Sequence, residues 1–133
     1  MKYLRKYIFL LIISALIFSC SQEKVKLTEG NWRGVVKLNK DIPDSEMPFL
    51  FTFEQGDGKS PKVTIINAEE RVISDEISYT SDSLVMKLPV FRDEIRAKIF
   101  GKDSIAGEYY HVGSRSRYSM PFYAVAGAKN RFD

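Results

Sequence analysis

Polar and apolar side chains alternate along most of the chain from Gly30 onward, with the period of two that belongs to a β-strand whose one face meets a core. Trp32, Gly34, Val36 and Leu38 share one parity, while Asn31, Arg33, Lys37 and Asn39 take the other. Asp41 to Pro48, with two prolines and several acids, interrupts the pattern, and Phe49-Leu50-Phe51-Thr52-Phe53 resumes it with three phenylalanines on one face. Gly56-Asp57-Gly58-Lys59 is a turn signal, because Gly and Asp tolerate the positive φ of tight hairpins. A third strand follows over Lys62 to Asn67 around Val63 and Ile65, and a fourth over Val72 to Tyr79, with Ile73, Ile77 and Tyr79 sharing parity. Ser81-Asp82-Ser83 turns the chain into the row Leu84, Met86 and Leu88. Val90 to Asp93 is a corner before Ile95, Ala97 and Ile99, and Gly101-Lys102-Asp103 turns again into Ile105, Gly107 and Tyr109. Gly113 to Ser116 is a loop before a last row of Tyr118, Met120, Phe122 and Ala124.

No stretch after Cys20 has a helical period. About eight short strands with turn signals every 8 to 12 residues predict an all-β fold, an up-and-down, lipocalin-like antiparallel barrel or a barrel-like sandwich. The interior of an eight-stranded barrel is wide enough either for packed side chains or for one small ligand. Inward rows rich in Phe, Tyr, Leu and Ile favour packing. Gly30-Asn31-Trp32 resembles the Gly-x-Trp on the first strand of lipocalin-type barrels, where the indole plugs one end.

Met1 to Cys20 has a different pattern. Lys2, Arg5 and Lys6 precede an apolar run from Tyr7 to Phe18 broken only by Ser14, the parts of a secretory signal. Twelve helical residues reach roughly 18 Å against a hydrocarbon core of about 30 Å, too short to span it. The close of the run, Ile17-Phe18-Ser19-Cys20, resembles the lipobox of bacterial lipoproteins. That resemblance implies a signal peptide over 1–19, acylation of Cys20, a lipidated tether over 20–29 and a β-barrel domain over 30–133. Ser21-Gln22-Glu23-Lys24 lacks the acidic run of surface-exported lipoproteins, which points to the periplasmic face of the outer membrane.

Export changes the charge. Of 20 Lys and Arg, three leave with the signal, so 17 remain against 17 Asp and Glu, and the +3 of the whole chain vanishes. Nucleic acid as a partner has no electrostatic basis in a neutral chain. With one cysteine there is no internal disulfide, and an acylated Cys20 has no free thiol.

The candidate chemistry is sparse. Glu69-Glu70, Asp75-Glu76 and Asp93-Glu94 are adjacent pairs whose members point to opposite faces of a strand, so they cannot flank one bond as acid and nucleophile and read as solvated turn and edge charges. His111 is the single histidine, reads as a strand-end surface residue, and gives poor material for a metal site. Neither a metal nor another cofactor is expected. The most site-like stretch runs from Tyr109, Tyr110 and His111 to Arg115 and Arg117, where arginine forks and tyrosine faces at a barrel mouth suit an anionic group or a sugar. Asp82-Ser83-Leu84 and Asp103-Ser104-Ile105 resemble the O-glycosylation sequon of exported Bacteroidota proteins, and each also sits where a turn enters a strand.

Several segments together resemble the N-terminal β-rich region of Bacteroidota lipid-anchored, thioredoxin-like (TlpA-type) disulfide oxidoreductases. They are the lipobox, Gly30-Asn31-Trp32-Arg33-Gly34-Val35-Val36, Pro48-Phe49-Leu50-Phe51, Ile66-Asn67-Ala68-Glu69-Glu70-Arg71, Leu88-Pro89-Val90-Phe91, Ile99-Phe100-Gly101 and Met120-Pro121-Phe122. In that family catalysis belongs to a C-terminal thioredoxin fold with Cys-x-x-Cys, a motif that does not occur up to Asp133. The resemblance therefore implies no enzyme activity in these residues. It implies a membrane-proximal accessory or docking module for a thioredoxin-like domain or partner protein. The alternative is a small-ligand-binding, lipocalin-like lipoprotein.

Overall fold

The structure, a computed structural model, describes residues 25–58, 60–90, 92–112 and 117–132, apart from the side chains of Tyr79 and Arg117. The signal segment, Cys20 and Arg115 lie outside the described residues. The described chain is all β, with nine antiparallel strands: β1 (Gly30–Lys37), β2 (Glu46–Glu54), β3 (Lys62–Asn67), β4 (Glu70–Ser74), β5 (Ile77–Tyr79), β6 (Ser83–Leu88), β7 (Asp93–Phe100), β8 (Ser104–Val112) and β9 (Arg117–Ala126). They form one sheet in the order β4-β3-β2-β1-β9-β8-β7-β6-β5. Each strand but the last pairs with its successor, except across the β4–β5 junction, and β1 meets β9 from Trp32↔Ala126 to Val36↔Phe122. The result is an up-and-down, nearly closed barrel.

The two ends of the sheet are β4 and β5, separated in the chain by only Asp75 and Glu76. One continuous run of chain therefore pairs with β3 in its first half and with β6 in its second, and the seam lies where it changes partner. Two bonds hold the seam: Ser74 Oγ donates to the Lys87 carbonyl, and the Lys87 N–H donates to the Glu76 carbonyl at 3.1 Å. This is why nine strands stand where periodicity predicts about eight. It also corrects the parity of Ile73. The irregular residues at 75 and 76 shift the alternation by one, so Ser74 is fully buried beside Ile77 while Ile73 faces solvent.

The interior is filled. Trp32, Phe51, Phe53, Leu84, Met86, Ile95, Ile105 and Phe122 are buried in one cluster, each large side chain adding about 1.5–3 kcal/mol of burial. Trp32 stacks on Phe51 with centroids 6.0 Å apart, and Phe49 stacks on Phe122 at 6.1 Å over Gly34. Phe51, Leu84, Met86 and Phe122 occupy the space that a lipocalin-like central chamber would need.

The two barrel ends differ. At one, the N-terminal segment closes the interior: Leu27 is buried in the core cluster, the Trp32 Nε1–H donates to the Thr28 carbonyl at 2.8 Å, and the Thr28 N–H donates to the Lys102 carbonyl at 2.9 Å. The stretch that reads as tether is thus packed structure by Leu27. The opposite end carries the β1–β2, β3–β4, β6–β7 and β8–β9 connections. There β2 begins at Glu46, two residues before the proline that reads as a break. Pro48 pairs with Val35, but the β2–β3 pairing starts only at Leu50, so no β3 partner awaits its missing N–H. Its carbonyl accepts instead from Arg131 Nε at 2.6 Å, while Arg33 Nε donates to the Arg131 carbonyl at 2.8 Å. The chain after β9 thus returns along the outer face of β1, where Val35 is fully buried outside the core cluster.

Two glycines differ in what a methyl would meet. A Cβ at Gly107 would sit 2.0 Å from the Arg96 carbonyl oxygen and 2.6 Å from Ala97 Cα, both backbone, whereas at Gly34 it would meet the Phe49 ring at 2.7 Å. Gly107→Ala is expected to destabilise by about 2–3 kcal/mol, a fall of roughly 10 °C or more in the melting temperature. Gly34→Ala is expected to cost less, because the Phe49 ring can swing. Thermal unfolding of both variants followed by circular dichroism checks the order.

Candidate binding site at the open end of the barrel

The barrel end away from the N-terminal segment is built on a cross-strand rung. Asp93 opens β7 directly opposite His111 of β8, and His111 lies opposite Tyr118 of β9. Alternation places Tyr109, two residues before His111, on the same inward face. The side chains meet accordingly: the Tyr109 hydroxyl donates to Asp93 Oδ2, His111 Nδ1 lies 2.7 Å from Asp93 Oδ1, and the His111 ring stacks on Tyr118 at 4.9 Å. An acceptor-only carboxylate places the imidazole proton on Nδ1, so the rung fixes the tautomer of His111.

Asp93 departs from the expectation of a solvated charge beside Glu94 at a corner: only 5% of its side chain is exposed. The physical reason is that β7 begins one rung earlier, so Asp93 shares the parity of Ile95 and Ala97, which point inward. Extending that row back by two residues would have found it. Glu94 does point outward, where it pairs with Arg96. His111 is 30% exposed in its side chain and bonded, rather than a bare strand-end residue.

The five candidate residues do not form one rim. Tyr109 points into the barrel and Tyr110 to the outer face, where Arg96 lies 4.8 Å from its ring centroid and Glu108 accepts its hydroxyl. Arg115 is outside the described residues; Arg117 is placed by its backbone opposite Val112. At the rim, where the inner and outer faces meet, an open groove of about 490 Å³ runs past Arg96, Tyr110, His111, Tyr118 and Ser119.

A second opening, about 220 Å³, lies at the seam side of the same end. Met47, Phe49, Ile65, Val72, Leu88 and Tyr109 give it an apolar wall, with Asn67, Glu70 and Arg131 at its lip. Phe49 and Ile65 continue inward rows that are buried further up the barrel, and here they remain partly exposed. Sequence reading missed Arg131, because only the return of the chain along β1 brings it to this end. Among the described residues no group of three His, Cys, Asp or Glu is placed to hold a metal ion.

No protein-family model, no curated protein and no solved structure matches the chain. Its own geometry is therefore the basis for any reading of the site.

The Tyr109 phenol is pushed well above its ordinary value, first by burial and then by its bond to Asp93. Since the folded-state value exceeds the unfolded one, this group contributes stability that is fully present below about pH 10 and is lost as pH rises further. The melting temperature of the native chain is expected to fall above about pH 10, and part of that slope should disappear in Tyr109→Phe. At neutral pH the same variant, and Asp93→Asn more so, should be destabilised by about 1.5–3 kcal/mol, because each leaves a buried polar partner unsatisfied. Urea unfolding across pH measures both effects.

Proposed function

We propose that this chain is a non-catalytic β-barrel module of a cell-envelope lipoprotein, held to the membrane through Cys20 and docking a thioredoxin-like oxidoreductase domain or partner. The observation that carries this reading is the contrast between the barrel ends. The N-terminal segment, which leads back to Cys20, enters at the end closed by Leu27 and Trp32. At the other end Leu38, Ile42, Val90, Val112 and Tyr118 are each exposed, on the β1–β2, β6–β7 and β8–β9 sides. Grouped exposed apolar side chains rimmed by polar ones mark interaction surfaces. A module tethered by its closed end would present this face away from the membrane.

Asp93 belongs to the frame of this end. Both carboxylate oxygens are taken, one by Tyr109 and one by His111, so the group serves to order the rung. The thioredoxin-like nature of the partner rests only on the resemblance of the segments quoted above, which together cover most of Gly30 to Phe132.

Two experiments test the reading. Cys20→Ser is expected to abolish acyl labelling and release the protein from the membrane fraction; unchanged fractionation would remove the anchor. Crosslinking in the native cells should join the wild-type chain to a protein or domain bearing Cys-x-x-Cys. The double variant Ile42→Asp/Val90→Asp should weaken that association about five- to thirtyfold, the effect of losing one or two apolar anchors. Its melting temperature should stay near wild type because both sites are exposed. No Cys-x-x-Cys partner in the wild type, or full association in the double variant, would sink the docking role.

A further inference from the structure

We propose that the opening at the barrel seam is a binding site for a small carboxylate carried on a compact apolar body, with Arg131 as its anion-recognising residue. This goes beyond the docking role and stands without it.

The space comes from the seam. Among the described residues the edge of β4 away from β3 is bonded only at Ser74, through its side chain to Lys87, so Glu70 to Ile73 leave a gap toward the end of β6. Side chains from β2, β3, β4, β6 and β8 face into that gap as Phe49, Ile65, Val72, Leu88 and Tyr109. An apolar wall that the fold leaves uncovered gains about 25 cal/mol for each Å² an apolar ligand covers. At about 220 Å³ the opening falls below the range of roughly 300–1,000 Å³ typical of drug-sized ligands. A short acyl chain or a single ring fits that limit better than a sterol or a full lipid.

The polar end of the ligand follows from Arg131. Its Nε is committed to the Pro48 carbonyl, and its own main-chain carbonyl is held by Arg33. The stem is thereby fixed, while among the described residues no carboxylate lies within ion-pair distance of the guanidinium. A pre-positioned fork with two terminal nitrogens matches a carboxylate. Glu70, on the same lip, bears the opposite charge, but it is exposed and solvated, whereas Arg131 is half-buried. The fixed, less solvated charge is the one that discriminates, which makes the ligand an anion. The Tyr109 hydroxyl has already given its proton to Asp93, so its ring belongs to the apolar wall and Arg131 alone meets the anion.

The test uses residues 21–133, which lack the apolar run Tyr7 to Phe18 and the acylation site and keep every described residue, so that the protein can be handled without detergent. Octanoate, 1-octanol and octylamine share one apolar body and differ in charge. Calorimetric titration is expected to show saturable one-to-one binding of octanoate, with a matching rise in melting temperature. Octanol and octylamine should bind at least tenfold more weakly. Arg131→Met, which keeps the stem and removes the fork, should bring octanoate down to the level of octanol, and Arg131→Lys should restore part of the difference. Val72→Trp, which fills the opening from a strand edge, should abolish binding of all three, while its unliganded melting temperature reports that the fold survives. N-acetylphenylalanine against its amide separates a free fatty acid from a peptide terminus as the carboxylate source, and preference for the acid supports the site in either case. Absence of saturable octanoate binding, equal binding of octanol, preference for octylamine, or unchanged binding by Val72→Trp would each overturn the proposal.

Discussion

A sheet of antiparallel strands has two edges whose backbone groups need partners, and everything distinctive in this barrel follows from where those edges fall. They fall on β4 and β5, which the chain itself joins through Asp75 and Glu76. Closure therefore needs no ninth full-length strand, only a change of partner within one run of chain. The change is incomplete. Near Ser74 the seam is held by the Lys87 bonds, but lower down β4 pairs on one side alone. The packed part of the core lies beside the closed portion, and the opening lined by Val72 and Leu88 lies beside the open one.

The same constraint makes the two ends unequal. At the closed end, Leu27 and the Trp32–Thr28 bond add a lid from the segment before β1, and Thr28 is pinned to the β7–β8 turn through Lys102. Among the described residues no such segment reaches the other end along the axis. The chain after β9 runs back outside β1 and delivers Arg131 to the lip through Arg33 and Pro48. The segment around Leu27 serves as a plug and the segment around Arg131 as a clasp, and the two concavities described above lie at the end with the clasp.

Most of the strand rows were legible because a buried face imposes period two on side chains that touch it. Trp32, Phe51, Phe53, Leu84, Met86, Ile95, Ile105 and Phe122 all fall on the predicted inward parity. The failures share one cause, a local break whose effect on parity cannot be read locally. Across Asp75 and Glu76 the alternation slips, so Ile73 was placed inside and Ser74 outside, the reverse of what the structure has. At the β6–β7 corner the strand starts sooner than Pro89 and the charges suggest, and Asp93 turns inward. Tyr109 and Tyr110, grouped by sequence nearness, are divided by the same alternation that was used elsewhere. Arg131 has no sequence signal at all, since its position depends on contacts with Arg33 and Pro48, 98 and 83 residues away.

A buried carboxylate at the mouth of an apolar barrel needs its own explanation, because desolvating Asp93 is unfavourable unless donors replace water. Two strands supply them, Tyr109 diagonally and His111 directly across. An apolar residue at position 93 would bury more cheaply, but it would leave the Tyr109 hydroxyl without its acceptor in a half-buried site and the His111 ring without its fixed tautomer. Asp93 thus sets the orientation of both rings. Tyr109 then forms the inner wall of the seam opening, while His111 and the Tyr118 stacked on it line the rim groove. One carboxylate sets the shape of the two concavities at this end, so substitution at Asp93 should change both together, whereas substitution at Tyr118 or Val72 should change only one.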